Sequence, residues 1–291
     1  MMRGVLSAAA WVCLALTLHA APAQAGEPAL WEVPGKRNSV YLFGSVHLLK
    51  PGEFRFHAAL ERAYADAEVV YLEVDMDDLD PLELASATAA RAVDPEGRSL
   101  DELMGPDAAA ARERAAAAGI DLALLGQMEP WFAGLAVVTI ALAREGYTAA
   151  DGVEQRLQER AAADGKEILG FETIDDQLAA LDGLELTLQR EFLLKSLEDA
   201  SQPAAALEKF LGAWREGDDD ALARELADEF DTAPELYRSL MVDRNRRWVG
   251  QIADLLDDGQ DYLVVVGTLH LVGPDGLPAM LAARGFEPVR R

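Results

Sequence analysis

Cysteine is nearly absent from this chain of 291 residues, which contains one cysteine, Cys13, and four histidines. A single thiol excludes a disulfide framework, an iron–sulfur cluster and a zinc finger built on cysteine pairs. Any metal site must therefore be made of carboxylates and at most a few imidazoles.

Positive charge is also scarce, since 26 Lys and Arg residues stand against 51 Asp and Glu residues, for a net charge of −25. Such a surface repels phosphate backbones, so we expect no nucleic-acid partner. After the first 25 residues no apolar run reaches the roughly 18 residues that a membrane-spanning helix needs. We therefore expect no stable membrane anchor in the mature protein.

The first 25 residues have the pattern of a secretory signal peptide. Arg3 precedes a mostly apolar stretch from Val5 to Leu18, and Ala23-Gln24-Ala25 provides an A-x-A cleavage site. This pattern predicts export to the periplasm or the cell exterior, with a mature chain that begins near Gly26. The alternative is an uncleaved N-terminal anchor.

Strands are predicted near both ends of the mature chain, around a long helical middle. The predicted strands cover residues 29–33, 39–43, 69–72, 166–171, 262–266 and 286–290. Residues 80–165 and 174–256 have helical patterns, and no Gly/Ser-rich linker separates them from the rest. We predict a single domain over residues 26–291, with an α/β (α+β) fold: a central mixed sheet flanked by helices, and a large helical insert or cap.

A repeated motif contains two of the four histidines. Residues 38–49 (NSVYLFGSVHLL) align without gaps with residues 261–272 (DYLVVVGTLHLV), so His47 and His270 both follow an apolar strand, a glycine and a hydroxyl residue. Ligands of open α/β sheets bind at the carboxyl ends of the strands. Since imidazole is a common metal ligand and a base at neutral pH, both side chains are predicted to serve one site.

The alternative for each of these histidines is a satisfied position in the core. His57, the remaining histidine of the mature chain, lacks this context and is predicted to lie on the surface of a helix.

Two glutamates accompany short buried strands. A carboxylate at the end of a buried strand is unfavourable unless it is paired or bound to a metal. Glu73 is therefore the best acidic partner of the histidines, and Glu172 repeats the pattern. Either could be a ligand or a general base. For Glu172 the alternative is a salt bridge with Arg244, Arg246 or Arg247.

Several short motifs together resemble the TraB/GumN family, to which the Tiki-type metalloproteases belong. They are, in chain order, Leu30-Trp31-Glu32-Val33, Leu42-Phe43-Gly44-Ser45-Val46-His47, Tyr71-Leu72-Glu73-Val74-Asp75, Asp151-Gly152-Val153-Glu154, Gly170-Phe171-Glu172-Thr173 with Gln177-Leu178, Arg244-Asn245 with Trp248, and Val266-Gly267-Thr268-Leu269-His270-Leu271. Their order and spacing over about residues 29–291 carry the resemblance.

The resemblance implies an α/β fold of the group that includes erythromycin esterases and haem-binding ChaN-type proteins. For Tiki-type members it implies metal-dependent peptide cleavage by two G-x-x-H motifs and a glutamate, which correspond here to His47, His270 and Glu73. The chain departs from the family at Glu154, where an aspartate often stands. The role of that position is therefore left open.

We accordingly expect a secreted or periplasmic metal-dependent hydrolase that acts on a peptide or small-molecule substrate. His47, Glu73 and His270 would hold a divalent cation, which could be zinc, manganese or cobalt. Glu172 or another acid would take a proton from the bound water. Arg244 would stabilise the oxyanion or pair with Glu172.

Two other functions fit the same residues. One is metal-free hydrolysis with a His/Glu pair as general base, as the esterase relatives suggest. The other is a non-catalytic protein that binds a peptide or haem, with two imidazoles as axial ligands. The oligomeric state cannot be inferred from these residues.

Overall fold

The structure is a computed structural model that describes residues 26–75, 81–231 and 233–291. The predicted signal peptide, residues 1–25, lies outside the described residues. Among the helices that are described, none is both long enough and apolar enough to cross a membrane. Export and the division into a signal peptide and one domain stay predictions.

One mixed sheet is formed by the strands of the described residues. They are β1 (Leu30–Pro34), β2 (Ser39–Ser45), β3 (Val69–Val74), β4 (Glu167–Glu172), β5 (Tyr262–Gly267) and β6 (Val289–Arg290), in the spatial order β4-β3-β5-β2-β1-β6. β4, β3, β5 and β2 are parallel neighbours, and β1 pairs antiparallel with both β2 and β6. The carboxyl ends of β2, β3, β4 and β5 therefore lie at the same edge of the sheet.

Helices fill the two long connections of the parallel strands. The α-helices are α1 (Ala58–Asp66), α2 (Pro81–Ala92), α3 (Leu100–Met104), α4 (Ala108–Ala117), α5 (Pro130–Arg144), α6 (Val153–Asp164), α7 (Ile174–Asp182), α8 (Leu186–Asp199), α9 (Pro203–Glu216), α10 (Asp219–Phe230), α11 (Pro234–Tyr237), α12 (Asp243–Asp258) and α13 (Leu277–Ala283). α2 to α6 lie between β3 and β4, and α7 to α12 lie between β4 and β5. This arrangement confirms the predicted α/β fold with its helical middle.

Both faces of the sheet are covered, as the apolar sequence of β5 requires. Leu263 and Val265 pack into a core cluster on one face, where they meet residues of α1, α6, α9 and α10. Val264 and Val266 point to the other face and pack against α12 and α13. Successive side chains of a strand point to opposite faces, so a strand covered on both sides is apolar throughout.

The helical middle has a core of its own. Its apolar residues come from α3, α4, α5 and α8, and include Val137 and Leu193. The alanine-rich run forms α4, whose Ala108, Ala111 and Ala115 are buried against these helices. The high helix propensity of alanine explains why this stretch is a helix and not a linker.

The prediction that His57 lies on the surface of a helix is wrong. His57 precedes α1 as its N-cap, and its side chain is only 10% exposed. Its Nδ1 lies 3.4 Å from the backbone nitrogen of Leu60 and 3.0 Å from a carboxylate oxygen of Glu27, and its ring packs 5.9 Å from that of Phe43. The capping contact and the ring packing bury a residue whose sequence context shows no apolar pattern.

Replacing His57 with asparagine is expected to reduce the acid sensitivity of the fold. Burial lowers the pKa of His57 below its ordinary value of 6.5. The unfolded chain therefore binds this proton more readily than the folded chain, so His57 contributes a loss of stability as pH falls below about 6.5. Asparagine keeps a capping oxygen and cannot titrate. Urea unfolding between pH 5 and 8 measures how the free energy of unfolding changes with pH. An unchanged pH dependence in the variant would contradict this role.

Candidate functional site

The shared edge of the parallel strands brings together four residues singled out from the sequence. His47 follows the end of β2, Glu73 is the penultimate residue of β3, and Glu172 is the last residue of β4. His270 lies in a 3₁₀ turn, Thr268–Leu271, directly after β5. Glu73 thus lies within its strand, which extends through Val74 and not only to Leu72.

Strand pairing explains why the repeated motif places both histidines at one site. β2 and β5 are parallel neighbours, and Ser45 pairs with Gly267. The two copies of the motif therefore end at nearly the same level of the sheet, and the imidazole that follows each strand reaches the same edge.

Gly267 marks the point at which the three side chains converge. A methyl group on Gly267 would lie 3.2 Å from Glu73 Oε1, 3.6 Å from His270 Cδ2 and 3.8 Å from His47 Nε2. The Gly267 N–H donates a 2.7 Å hydrogen bond to Glu73 Oε1, and that oxygen is 3.9 Å from His270 Nε2. The absence of a side chain at this position leaves a small space that all three groups border.

Asn245 fixes the orientation and the tautomer of His270. Its Nδ2 donates to the carbonyl oxygens of His270 (3.3 Å) and Asp275 (2.7 Å), so its Oδ1 faces the imidazole. His270 Nδ1, 2.6 Å from that oxygen, must carry a proton, which leaves the lone pair on Nε2. Burial lowers the pKa of His270 to about 3 and keeps the ring neutral.

Glu154 holds His47 in a corresponding way. Its Oε1 lies 2.7 Å from His47 Nδ1 and also accepts a hydrogen bond from the Ser45 hydroxyl. The negative charge of Glu154 raises the pKa of His47 to about 9. α6 can approach closely because a Cβ on Gly152 would lie 2.1 Å from the carbonyl oxygen of His47. The His47 side chain is 64% exposed, so this imidazole forms the open side of the site.

Arg244, at the start of α12, lies between two buried carboxylates. Its Nη2 is 2.5 Å from Glu73 Oε2 and 2.5 Å from Glu172 Oε1, and its Nε donates to Glu172 Oε1 at 3.0 Å. The three side chains are 8%, 7% and 3% exposed, respectively. Nη1 lies 3.3 Å from His270 Nε2. The structure therefore pairs Glu172 with Arg244, while the more exposed Arg247 lies 3.5 Å from it.

These contacts keep Glu73 ionised. Burial alone would raise its pKa, but the charges of His270, Arg244 and His47 and the Gly267 N–H outweigh burial and lower the pKa to about 2. Because His270 is neutral above about pH 3, Arg244 is the main positive charge beside Glu73 at neutral pH. Gln177 Nε2 also donates to Glu73 Oε2, at 3.2 Å.

The donor chemistry of the site fits a divalent cation, although the side chains do not form a complete ligand group. In the part of the chain that the structure describes, no three His, Cys, Asp or Glu side chains are placed to hold a metal ion. Arg244 contacts both Glu73 and His270 Nε2, and His47 would have to lose a proton to become a ligand. However, both imidazoles are oriented through Nδ1 and present Nε2, as metal-ligating histidines are.

Sequence reasoning gave no role to three residues that contact the predicted ones: Glu154, Gln177 and Asn245. Asn245 could have been found, because it lies next to Arg244 and four residues before the buried Val249 on α12, which places it on the inner face. For Gln177, the family motif marks the position, but no local pattern indicates that its amide reaches Glu73 across 104 residues.

Comparison with known proteins identifies the family. The model of the TraB/PrgY/gumN family matches residues 29–290, and the chain belongs to this family. The chain is also 26% identical over 250 residues to the uncharacterized protein YbaP of Shigella flexneri, a match that covers 86% of this chain and 89% of the relative.

Proposed function

We propose that this member of the TraB/PrgY/gumN family is an exported hydrolase of peptides whose divalent cation is held by His47, Glu73 and His270. The observation that carries the proposal is the space above Gly267, which these three side chains border. Zinc, manganese and cobalt all suit a site of two imidazoles and one carboxylate. When bound, the cation would supply an activated water and polarise the substrate carbonyl.

The protonation states of two ligands support this proposal. Glu73 is ionised at neutral pH, and His270 presents a lone pair on Nε2 because Asn245 holds its Nδ1 proton. A group that orients a metal-ligating histidine through its second nitrogen contributes about 10–100-fold to metal affinity or activity. Asn245 contacts Nδ1 of His270 in this way, and Glu154 contacts Nδ1 of His47.

Arg244, Glu172 and Glu154 are assigned the remaining roles. Arg244 Nη1 lies 3.3 Å from His270 Nε2 and would have to move aside for the cation, and from that side its positive charge would stabilise a developing oxyanion. Glu172 is hydrogen-bonded to this guanidinium, so we assign it the positioning of Arg244 in preference to the proton transfer suggested from the sequence. Glu154 is hydrogen-bonded to His47 and Ser45, so its proposed role is to orient His47.

A metal-free hydrolase is the second candidate, and a specific observation favours it. The environments of the two histidines move their pKa values apart, to about 9 for His47 and about 3 for His270. Such a separation is typical of an acid and base pair in one active site. A water molecule would then attack the substrate carbonyl and give a proton to His270 Nε2, His47 would donate a proton to the leaving group, and Arg244 would stabilise the oxyanion.

Metal content distinguishes the two candidates. The purified protein is incubated with zinc, manganese or cobalt, desalted and analysed for bound metal, beside the His47→Ala/His270→Ala double variant. His57→Asn is the matched control, because it also removes an imidazole but lies outside the site. We expect about one metal ion per chain in the wild type and the control. The double variant should bind none while its circular dichroism spectrum is unchanged.

Hydrolysis of quenched fluorescent peptides is measured in parallel, with and without a strong chelator. Activity that persists in the chelator, in a protein without metal, would favour the metal-free mechanism. A protein that neither binds metal nor cleaves any peptide would overturn the proposal.

A further inference from the structure

Two cavities share three lining side chains. One has a volume of about 270 Å³ and the other about 250 Å³, and both are lined by His47, Glu73 and Gln177. Each is slightly smaller than the roughly 300 Å³ at which small-molecule pockets begin. The two cavities therefore form two halves of one binding cleft, with the His47–Glu73 pair at their junction.

In the first half, which we call the apolar subsite, apolar side chains from three elements lie beside the polar groups of Arg244 and His270. Phe210 comes from α9, Leu240 and Met241 come from a π-helical turn before α12, and Leu269 comes from the turn after β5. Phe210, Leu240 and Leu269 are only half-buried. Covering them with an apolar group would be favourable by about 25 cal/mol per Å² of surface removed from water.

The second half, which we call the amide subsite, has different chemistry. Gln155, Gln158 and Gln177 line it with side-chain amides, and Glu73 and Glu154 contribute carboxylates. None of the residues that line it in the described chain is a lysine or an arginine. Amide groups bind polar substrates by donating and accepting hydrogen bonds. A substrate carboxylate placed here would lie beside the carboxylates of Glu73 and Glu154.

From this asymmetry we infer that the protein selects peptides in which the reacting bond joins a bulky apolar residue to a polar residue that carries no negative charge. The reacting bond would lie at the junction, with the apolar side chain beside Phe210, Leu240 and Met241 and the polar side chain beside the glutamines. The inference rests on the proposed function for the cleavage step, but the binding preference follows from the two linings alone.

Peptides with a defined central pair test this preference. Dye-labelled octapeptides contain Gln-Leu or Leu-Gln at their centre, and matched peptides replace Gln with Asp or Leu with Ser. Binding is measured by fluorescence anisotropy, and cleavage by the kcat/KM of quenched versions. In one of the two orders, we expect the Gln/Leu peptide to bind and to be cleaved at least about tenfold better than its Asp and Ser counterparts.

Two variants separate the subsites. Phe210→Ser is expected to reduce the preference for Leu over Ser, and leave the preference for Gln over Asp. Gln155→Arg places a cation in the amide subsite, and should relieve the discrimination against Asp at least about fivefold. Gln127→Arg is the matched control, since it makes the same change at an exposed position outside both cavities.

The outcomes distinguish this inference from the proposed hydrolase. The expected binding preference without cleavage would support the subsites and contradict the hydrolase. Cleavage that is indifferent to the central pair would overturn the subsites and leave the hydrolase standing. A protein that binds none of these peptides would overturn the inference.

Discussion

Replacing Arg244 with methionine is expected to lower the free energy of unfolding by about 3–5 kcal/mol, the range measured when one partner of a buried ion pair is removed. Arg244 contacts Glu73 and Glu172, and all three side chains are at most 8% exposed. Methionine would fill part of the volume but leave two carboxylates buried without their cation. Thermal and urea unfolding measure the loss.

Arg247→Met is the control for this prediction. Arg247 also lies near Glu172, at 3.5 Å, but its side chain is 53% exposed, so its loss should change the free energy of unfolding by less than about 1 kcal/mol. Adding Glu73→Gln and Glu172→Gln to Arg244→Met should restore part of the stability, since no buried charge is then left unpaired. Equal destabilisation by Arg244→Met and Arg247→Met would contradict the buried ion pair.

The loss of stability in Arg244→Met should also depend on pH. The pKa of Glu73 is about 2 in the folded chain, against an ordinary value of 4.5. Its ionised form therefore stabilises the fold above about pH 4.5, and this contribution is lost as pH falls toward 2. The difference between the wild type and Arg244→Met is expected to shrink over the same range.

Replacing Gly267 with alanine is expected to reduce kcat/KM for peptide hydrolysis at least about 100-fold, the cost typical of a misplacement near 1 Å in an active site. The added methyl group would lie within 4 Å of Glu73 Oε1, His270 Cδ2 and His47 Nε2, in the space that the reacting groups are proposed to share. The backbone accepts alanine, because Gly267 has a φ of −48°. The 3.2 Å contact with Glu73 Oε1 requires a small shift of that side chain, so we expect a small loss of stability beside the larger loss of activity.

Gly212→Ala is the matched control for Gly267→Ala. A methyl group on Gly212 meets no atom within 4 Å, and the residue lies inside α9. This variant should keep full activity and become more stable by about 0.5–1 kcal/mol, because alanine favours the helix. Full activity in Gly267→Ala would show that the space above Gly267 is not used in the reaction.

The strand-borne part of the site could be predicted from the sequence for a definite reason. His47 and His270 follow similar strands, and parallel strands that lie side by side end at the same edge. Glu73 and Glu172 follow from the same rule, since β3 and β4 extend the parallel part of the sheet. Local patterns were sufficient for these four residues, because a residue at the end of any of these parallel strands must lie at the same edge of the sheet.

Contacts made from helices were harder to predict. Nothing in a strand indicates which of three arginines on α12 reaches Glu172. The signal lies in the helix itself, because Arg244 precedes the fully buried Trp248 by four residues and shares its face, whereas Arg246 and Arg247 are exposed. The contact between Glu154 and His47 depends on the close packing of α6 at Gly152. A hydrophobic pattern in the sequence does not indicate such a tertiary contact.

The position of β5 has a consequence for how the protein folds during synthesis. β5 is the last long strand in the sequence, yet it lies between β2 and β3, which are made some two hundred residues earlier. A growing chain thus has its sheet open at the centre and lacks Gly267 and His270 until residues 262–270 have been made. The site proposed for hydrolysis is therefore incomplete until β5 has taken its place between β2 and β3.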